Sequence, residues 1–274
     1  MRQGSYVSVD GIRTHYFEAG QGKSPTVLLL HSAEYGGAAE FSWEFNLPAL
    51  AGHFHVLAPD HLGFGLTDKI HDFNGQFDRR IQHIRRFLAV KGVERCHVIG
   101  SSMSGGMTLA VAARETPDWP IIKLVCCSGG GDAPDNDARR ILNSYDGTRD
   151  HMRRIVAVMF RDPRWAADDT YITRRHEMSL VPGGWEATSA ARFKAPFRAK
   201  DGPRERDQID YGRIRVPVLV IGGAHDPLRE PGYADRLVAK IPGAQLHMLD
   251  NASHMGNIER AEEFNRRVIG FLKD

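Results

Sequence analysis

Six short apolar runs, none with the polar alternation of a surface strand, set the strongest limit on how this chain folds. They are "TVLLLH" (26–31), "HVLAPD" (55–60), "CHVIG" (96–100), "KLVCCSG" (123–129), "VPVLVIGG" (216–223) and "QLHMLD" (245–250). Continuous apolar character means strands covered on both faces, as in a parallel sheet flanked by helices. Helix-like stretches fall between them, at Phe77 to Lys91, Met103 to Glu115, Pro231 to Lys240 and Arg260 to Leu272. Strand and helix alternate, which predicts an α/β fold with an open, mostly parallel, doubly wound sheet. Ahead of the first run, "SYVSVDGIRTHYFEAG" alternates on either side of Asp10-Gly11 and predicts an antiparallel hairpin.

The rhythm fails between Asp132 and Asp210, where amphipathic segments such as "HMRRIVAVMF", "DDTYITRRHEMSL" and "WEATSAARFKAP" follow one another without a strand. The strand pattern then resumes, so residues 132–210 read as a helical lid inserted into a core formed by 1–131 and 211–274. A chain of 274 residues is ample for one such domain.

The formal charge of +2 comes from nearly balanced acids and bases without a block of like charge. That disfavours a nucleic-acid or membrane-surface partner and leaves a small molecule as the expected one. Homo-oligomers are compatible with it. Cys96, Cys126 and Cys127 are odd in number and two are adjacent in an apolar run, which suits core thiols in a reducing compartment. The N-terminus lacks the apolar stretch of a signal peptide, and the expected location is cytoplasmic.

"HVIGSSMSGGMTLAVAARE" places three serines where a strand breaks into a helix. A strand that turns sharply into a helix leaves no room around the apex, so small residues are needed two before and two after it. Ser102 satisfies this with Gly100 and Ser104, and Ser104 satisfies it with Ser102 and Gly106. The strand ends at Ile99-Gly100, which favours Ser102 as the apex; Ser101 would put Ile99 and Met103 at the crowded positions. A nucleophile there also sits at a helix N-terminus, where free N–H groups stabilise an oxyanion. The Lys and the spacing of a phosphate-binding loop are absent.

A serine hydroxyl needs a base, and the base needs an orienter. "VLVIGGAHDPL" exposes Asp226 after a buried strand, and "LDNASHMGNIE" places His254 in the loop before the final helix. Asp132 is the alternative acid; His225 and His247 are weaker bases. Met103 and Ala33, the latter in "HSAEYGG" after the first buried strand, are the expected oxyanion donors, with His31 and Ser32 shaping that turn. The order Ser, Asp, His, each at a strand's carboxyl end, is that of an α/β-hydrolase.

On these residues the chain resembles the α/β-hydrolase-fold enzymes over essentially its whole length. Within them it is similar to the meta-cleavage-product hydrolases, which hydrolyse a C–C bond in 2-hydroxy-6-oxo-dienoates during aromatic degradation. The narrower likeness rests on "GNIERAEEFNRRVIGFL", on Asn46 and on an Arg in "TRRHEMSLVPGGWEA". The resemblance implies a lid Arg that grips the substrate carboxylate, a task suited to a planar guanidinium; Arg174 is the candidate, with Arg175 beside it. It also implies substrate contacts at Asn46, Ser32 and Met255. Two departures bear on the substrate: the family's Gly-rich HGxGPG-like loop is "HSAEYG" here, and the usual Trp after the catalytic His is Met255.

The sequence therefore predicts a hydrolase with Ser102 as nucleophile, His254 as acid/base and Asp226 as orienter, acting without metal or organic cofactor. The rivals are a carboxylesterase or lactonase with the same triad, a cofactor-free oxygenase using the His-Asp pair, and a non-catalytic ligand receptor.

Overall fold

A computed structural model describes residues 4–193 and 209–274. The chain opens with the hairpin β1 (Ser5–Val9) and β2 (Ile12–Ala19), followed by β3 (Thr26–Leu30), α1 (Ala39–Trp43), α2 (Leu47–Ala51), β4 (His55–Pro59) and α3 (Gln76–Val90). Next come β5 (Cys96–Ser101), α4 (Met103–Ala112) and β6 (Ile121–Cys127). Five helices then intervene: α5 (Asp137–Asn143), α6 (Arg149–Met159), α7 (Arg164–Ala167), α8 (Asp169–Ser179) and α9 (Gly184–Ala190). The alternation resumes with β7 (Val218–Gly223), α10 (Tyr233–Val238), β8 (Gln245–Leu249), α11 (Gly256–Glu259) and α12 (Ala261–Lys273).

The eight strands form one sheet in the order β1-β2-β4-β3-β5-β6-β7-β8. β1 and β2 pair antiparallel, β2 runs antiparallel to β4, and all pairs from β4 to β8 are parallel. The six apolar runs are thus the six parallel strands, and the Asp10-Gly11 pair turns the edge hairpin. Both faces of the sheet are covered. On one, α12 buries Phe264, Val268, Phe271 and Leu272, spaced as one stripe of a helix, with Trp43 and Leu50 against Leu29, Val56 and Ile221. On the other, Ile81, Ile84, Phe87 and Leu88 of α3 cover Leu28, Leu57 and Val98. Each such side chain contributes roughly 1.5–3 kcal/mol by leaving water.

Three of these five helices, α5, α6 and α8, start on capping side chains. Asn136 accepts from the Arg139 amide, Thr148 from that of His151, and Asp168 from those of Thr170 and Tyr171, each capping a helix start. They dock on the carboxyl-end loops of the sheet: Met152, Ile155, Met159, Tyr171 and Ile172 share one buried cluster with Tyr35, Phe41, Leu228, Met255 and Ile258. The segment "WEATSAARFKAP" reaches the described residues as far as Phe193; its last three residues lie outside them. Among the described residues no helix is long and apolar enough to cross a membrane.

Candidate active site

β5 ends at Ser101 and α4 begins at Met103, so Ser102 alone carries the change of direction. Its backbone stands at φ 55° and ψ −112°, outside the comfortable regions for a residue with a Cβ. Such strain persists only where the surroundings enforce it; here the Ser102 amide is held by the Cys127 carbonyl at 2.8 Å, and its own carbonyl accepts from the Gly106 amide at 3.2 Å. Gly100 is required by close approach: a Cβ there would meet the Ser104 carbonyl oxygen at 2.5 Å and the Gly105 nitrogen at 2.8 Å.

At the far end of the sheet the loops after β7 and β8 are tied together, the Ala224 amide donating to the Leu249 carbonyl and that of His225 to the Ala252 carbonyl. This brings His254 against Asp226. His254 Nδ1–H donates to Asp226 Oδ2 at 2.7 Å, leaving Nε2 to accept from the Ser102 hydroxyl at 2.8 Å. The His254 and Asp226 side chains are 3% and 1% exposed. Burial raises the Asp226 pKa, but the His254 ring, the Leu228 amide and Arg229 outweigh it and hold the carboxyl below its ordinary value. The pair is arranged for a base whose tautomer is fixed and whose developing charge is compensated.

The alternatives lie elsewhere. Asp132 and His225 are exposed, and His247, on β8, pairs with Glu263 of α12 at 3.0 Å. Ser101 is buried with its hydroxyl unpaired among the described residues. Ser104 is fully buried; it donates to the His31 carbonyl at 2.5 Å and accepts from His61 Nε2 at 2.7 Å. The His61 amide in turn donates to His31 Nε2 at 2.8 Å, and His31 Nδ1–H donates to the Ser32 carbonyl at 2.6 Å. Every proton in this chain is assigned with both rings neutral, in keeping with burial that pushes the His31 and His61 pKa values down. Ser104 is thus a strut between α4 and the two loops. Sequence reading did not find His61.

The expected oxyanion donors occupy suitable places: Met103 opens α4, Ala33 is in the loop after β3, and neither amide has an acceptor among the described residues. The expected substrate contacts fare differently. Arg174 turns to the outer surface, where its Nη2 donates to Glu40 at 2.6 Å and Glu44 at 3.3 Å, and it lines a groove of about 790 Å³ with Trp165 and Glu262 that contains none of Ser102, Asp226 or His254. Arg175 turns inward instead, because neighbours on a helix point about 100° apart. Asn46 is wholly engaged in structure: it donates to the Asn257 carbonyl at 2.9 Å and Asn265 Oδ1 at 2.8 Å, and accepts from Asn257 Nδ2 at 3.0 Å. Ser32 is buried with its hydroxyl 3.3 Å from that of Ser42. Met255 is buried beside His254 in the seam between the sheet loops and the inserted helices, its amide donating to the Met159 carbonyl at 3.1 Å.

The family model for the alpha/beta hydrolase fold matches residues 25–261. A 2-hydroxy-6-oxo-6-(2'-aminophenyl)hexa-2,4-dienoic acid hydrolase of Metapseudomonas resinovorans is 29% identical, over 97% of this chain and 90% of its own length. A 2-hydroxymuconate semialdehyde hydrolase of a Pseudomonas species is 28% identical, over 99% and 94%. Among solved structures, a meta-cleavage product hydrolase from Pseudomonas fluorescens superposes with a TM-score of 0.85 at 26% identity, covering 98% of this chain and 97% of that one.

Proposed function

Since this chain belongs to the alpha/beta hydrolase fold family, we propose that it hydrolyses its substrate through Ser102, His254 and Asp226. The relay from Asp226 Oδ2 through His254 to Ser102 Oγ, with legs of 2.7 and 2.8 Å, is the observation that carries the reading. Ser102 Oγ attacks a substrate carbonyl as His254 Nε2 takes its proton, and Asp226 stabilises the imidazolium. The oxyanion is met by the Met103 and Ala33 amides. His254 then returns the proton to the leaving group, and water, deprotonated by His254, releases the acyl group from Ser102.

The relatives support a 2-hydroxy-6-oxo-dienoate-type substrate, cleaved at the C–C bond beside its 6-oxo carbon. Carbon leaves as readily as oxygen only if its electron pair is stabilised. In this substrate the 2-hydroxy group first ketonises, its proton passing to C5 with the help of His254, so that the departing fragment is an enolate and leaves as a dienol. A second reading, ester or lactone hydrolysis by the same triad, is favoured by the loop after β3, where Glu34 pairs with Arg175 at 2.5 Å.

The test is an assay of wild type and Ser102→Ala against 2-hydroxy-6-oxo-6-phenylhexa-2,4-dienoate and p-nitrophenyl esters. Bleaching of the dienoate that is lost in the variant supports the first reading, ester-only turnover the second. Full activity in Ser102→Ala would remove the serine from the mechanism.

A further inference from the structure

Among the described residues only two arginines or lysines are buried, Arg80 and Arg175. Arg175, on α8, has a side chain that is 0% exposed, and its Nη2 donates to Glu34 Oε1 at 2.5 Å while Nη1 donates to the Tyr171 hydroxyl at 3.2 Å. The Phe41 and Tyr171 rings flank the guanidinium, 5.3 and 5.7 Å from its carbon. Glu34 is itself 2% exposed and follows Ala33 directly. The loop and α8 meet backbone to backbone: Gly36 stands at φ 70°, and a Cβ there would run into the Arg175 carbonyl. The acid is therefore built into the loop that carries the Ala33 amide, and its partner is fixed by the docking of α8.

We propose that the substrate is met beside the loop that carries Ala33, and that Glu34 determines specificity there: by neutralising Arg175 it makes the pair take an uncharged oxygen function of the substrate rather than a carboxylate. The inference rests on the hydrolytic reading of Ser102. A substrate carboxylate placed here would set two anions against one guanidinium away from water, an arrangement whose desolvation is left uncompensated. A neutral carbonyl, ester or hydroxyl meets no such repulsion. It also answers an unmet need, because Arg175 Nε–H is buried with no acceptor among the described residues, and a buried donor left unpaired is unfavourable. The other buried cation, Arg80, is engaged differently: it donates to the Leu62 carbonyl and to Met103 Sδ and lies over the Phe64 ring. For a C–C hydrolase, the substrate would be a dienoate skeleton whose acid is masked as an ester, amide or lactone.

The experiment compares acids with their methyl esters, which keep the oxygen and lose the charge: 2-hydroxy-6-oxo-6-phenylhexa-2,4-dienoate against its methyl ester, with C–C cleavage and demethylation separated by product, and p-nitrophenyl hemiglutarate against p-nitrophenyl methyl glutarate. Wild type is expected to favour the neutral member of a pair at least tenfold in kcat/KM. Glu34→Gln, which frees the Arg175 charge, should narrow or reverse that ratio at least tenfold, chiefly through KM. Should that variant fail to fold, Glu34→Gln with Arg175→Gln restores a neutral pair and should keep the wild-type preference. A tenfold wild-type preference for the carboxylates, or one that persists without Arg175 and so points to a cation such as Arg80, overturns the inference while leaving the hydrolytic reading intact. No turnover of any probe by wild type overturns both.

Discussion

Replacing Ser102 by alanine removes the oxygen that faces His254 Nε2 at 2.8 Å; kcat is expected to fall roughly a thousandfold or more with the fold unchanged, by steady-state kinetics beside a circular dichroism spectrum. Ser104→Ala should do the reverse. It leaves His61 Nε2–H and the His31 carbonyl without the hydroxyl that joins them, so urea unfolding should show a loss of about 1–3 kcal/mol while kcat stays within about threefold. Loss of catalysis in Ser104→Ala and not in Ser102→Ala would reverse the two assignments. Asp226→Asn is isosteric but lets the imidazole take the wrong tautomer, and a fall in kcat on the order of ten-thousandfold is expected. Small-residue spacing admitted both Ser102 and Ser104, and the end of the apolar run at Gly100 favoured Ser102, because both signals are local; the strut that occupies Ser104 comes from His61, 43 residues away.

Between elements, the tightest constraint is the approach of β5 to the first turn of α4. Gly100→Ala adds a Cβ against the Ser104 carbonyl, a backbone atom that cannot rotate aside, and a destabilisation of about 1–3 kcal/mol is expected in chemical unfolding. A neutral result would mean that the turn is looser than its geometry. The turn between α1 and α2 is fastened to α11 and α12 through Asn46, Asn257 and Asn265. Asn46→Ala should therefore lower Tm by several degrees and leave KM unchanged, the opposite of what a substrate contact would give. The elements themselves were legible, because an unbroken apolar run and a 3.6-residue stripe each report their own burial. The direction of Arg174 and Arg175 was not. The two residues are chemically identical, and the choice between outer groove and interior is set by the phase of α8 as docked.

Across the whole molecule, acid titration is governed by buried histidines. Burial lowers the His31 and His61 pKa values and takes His83 and His97 down to about 4. These rings stay neutral in the folded chain while the unfolded chain protonates near 6.5, so the unfolded state binds more protons between those values and stability falls as pH drops from about 6.5 toward 4. Thermal unfolding followed from pH 8 to 4 should show that decline, and His83→Gln should lessen its slope; a flat profile would contradict the neutral network. By itself the sequence determined the α/β order, the hairpin, the inserted helical stretch and the chain order of Ser102, Asp226 and His254, since all of these follow from local periodicity, small-residue spacing and strand ends. Only the tertiary structure decided which side chains meet: Arg175 reaches Glu34 across 141 positions and Asn46 reaches Asn265 across 219. The reason is physical. Local patterns are fixed by the backbone's own geometry, whereas a buried charge or amide is satisfied by whatever group the packing of distant elements brings within hydrogen-bond reach.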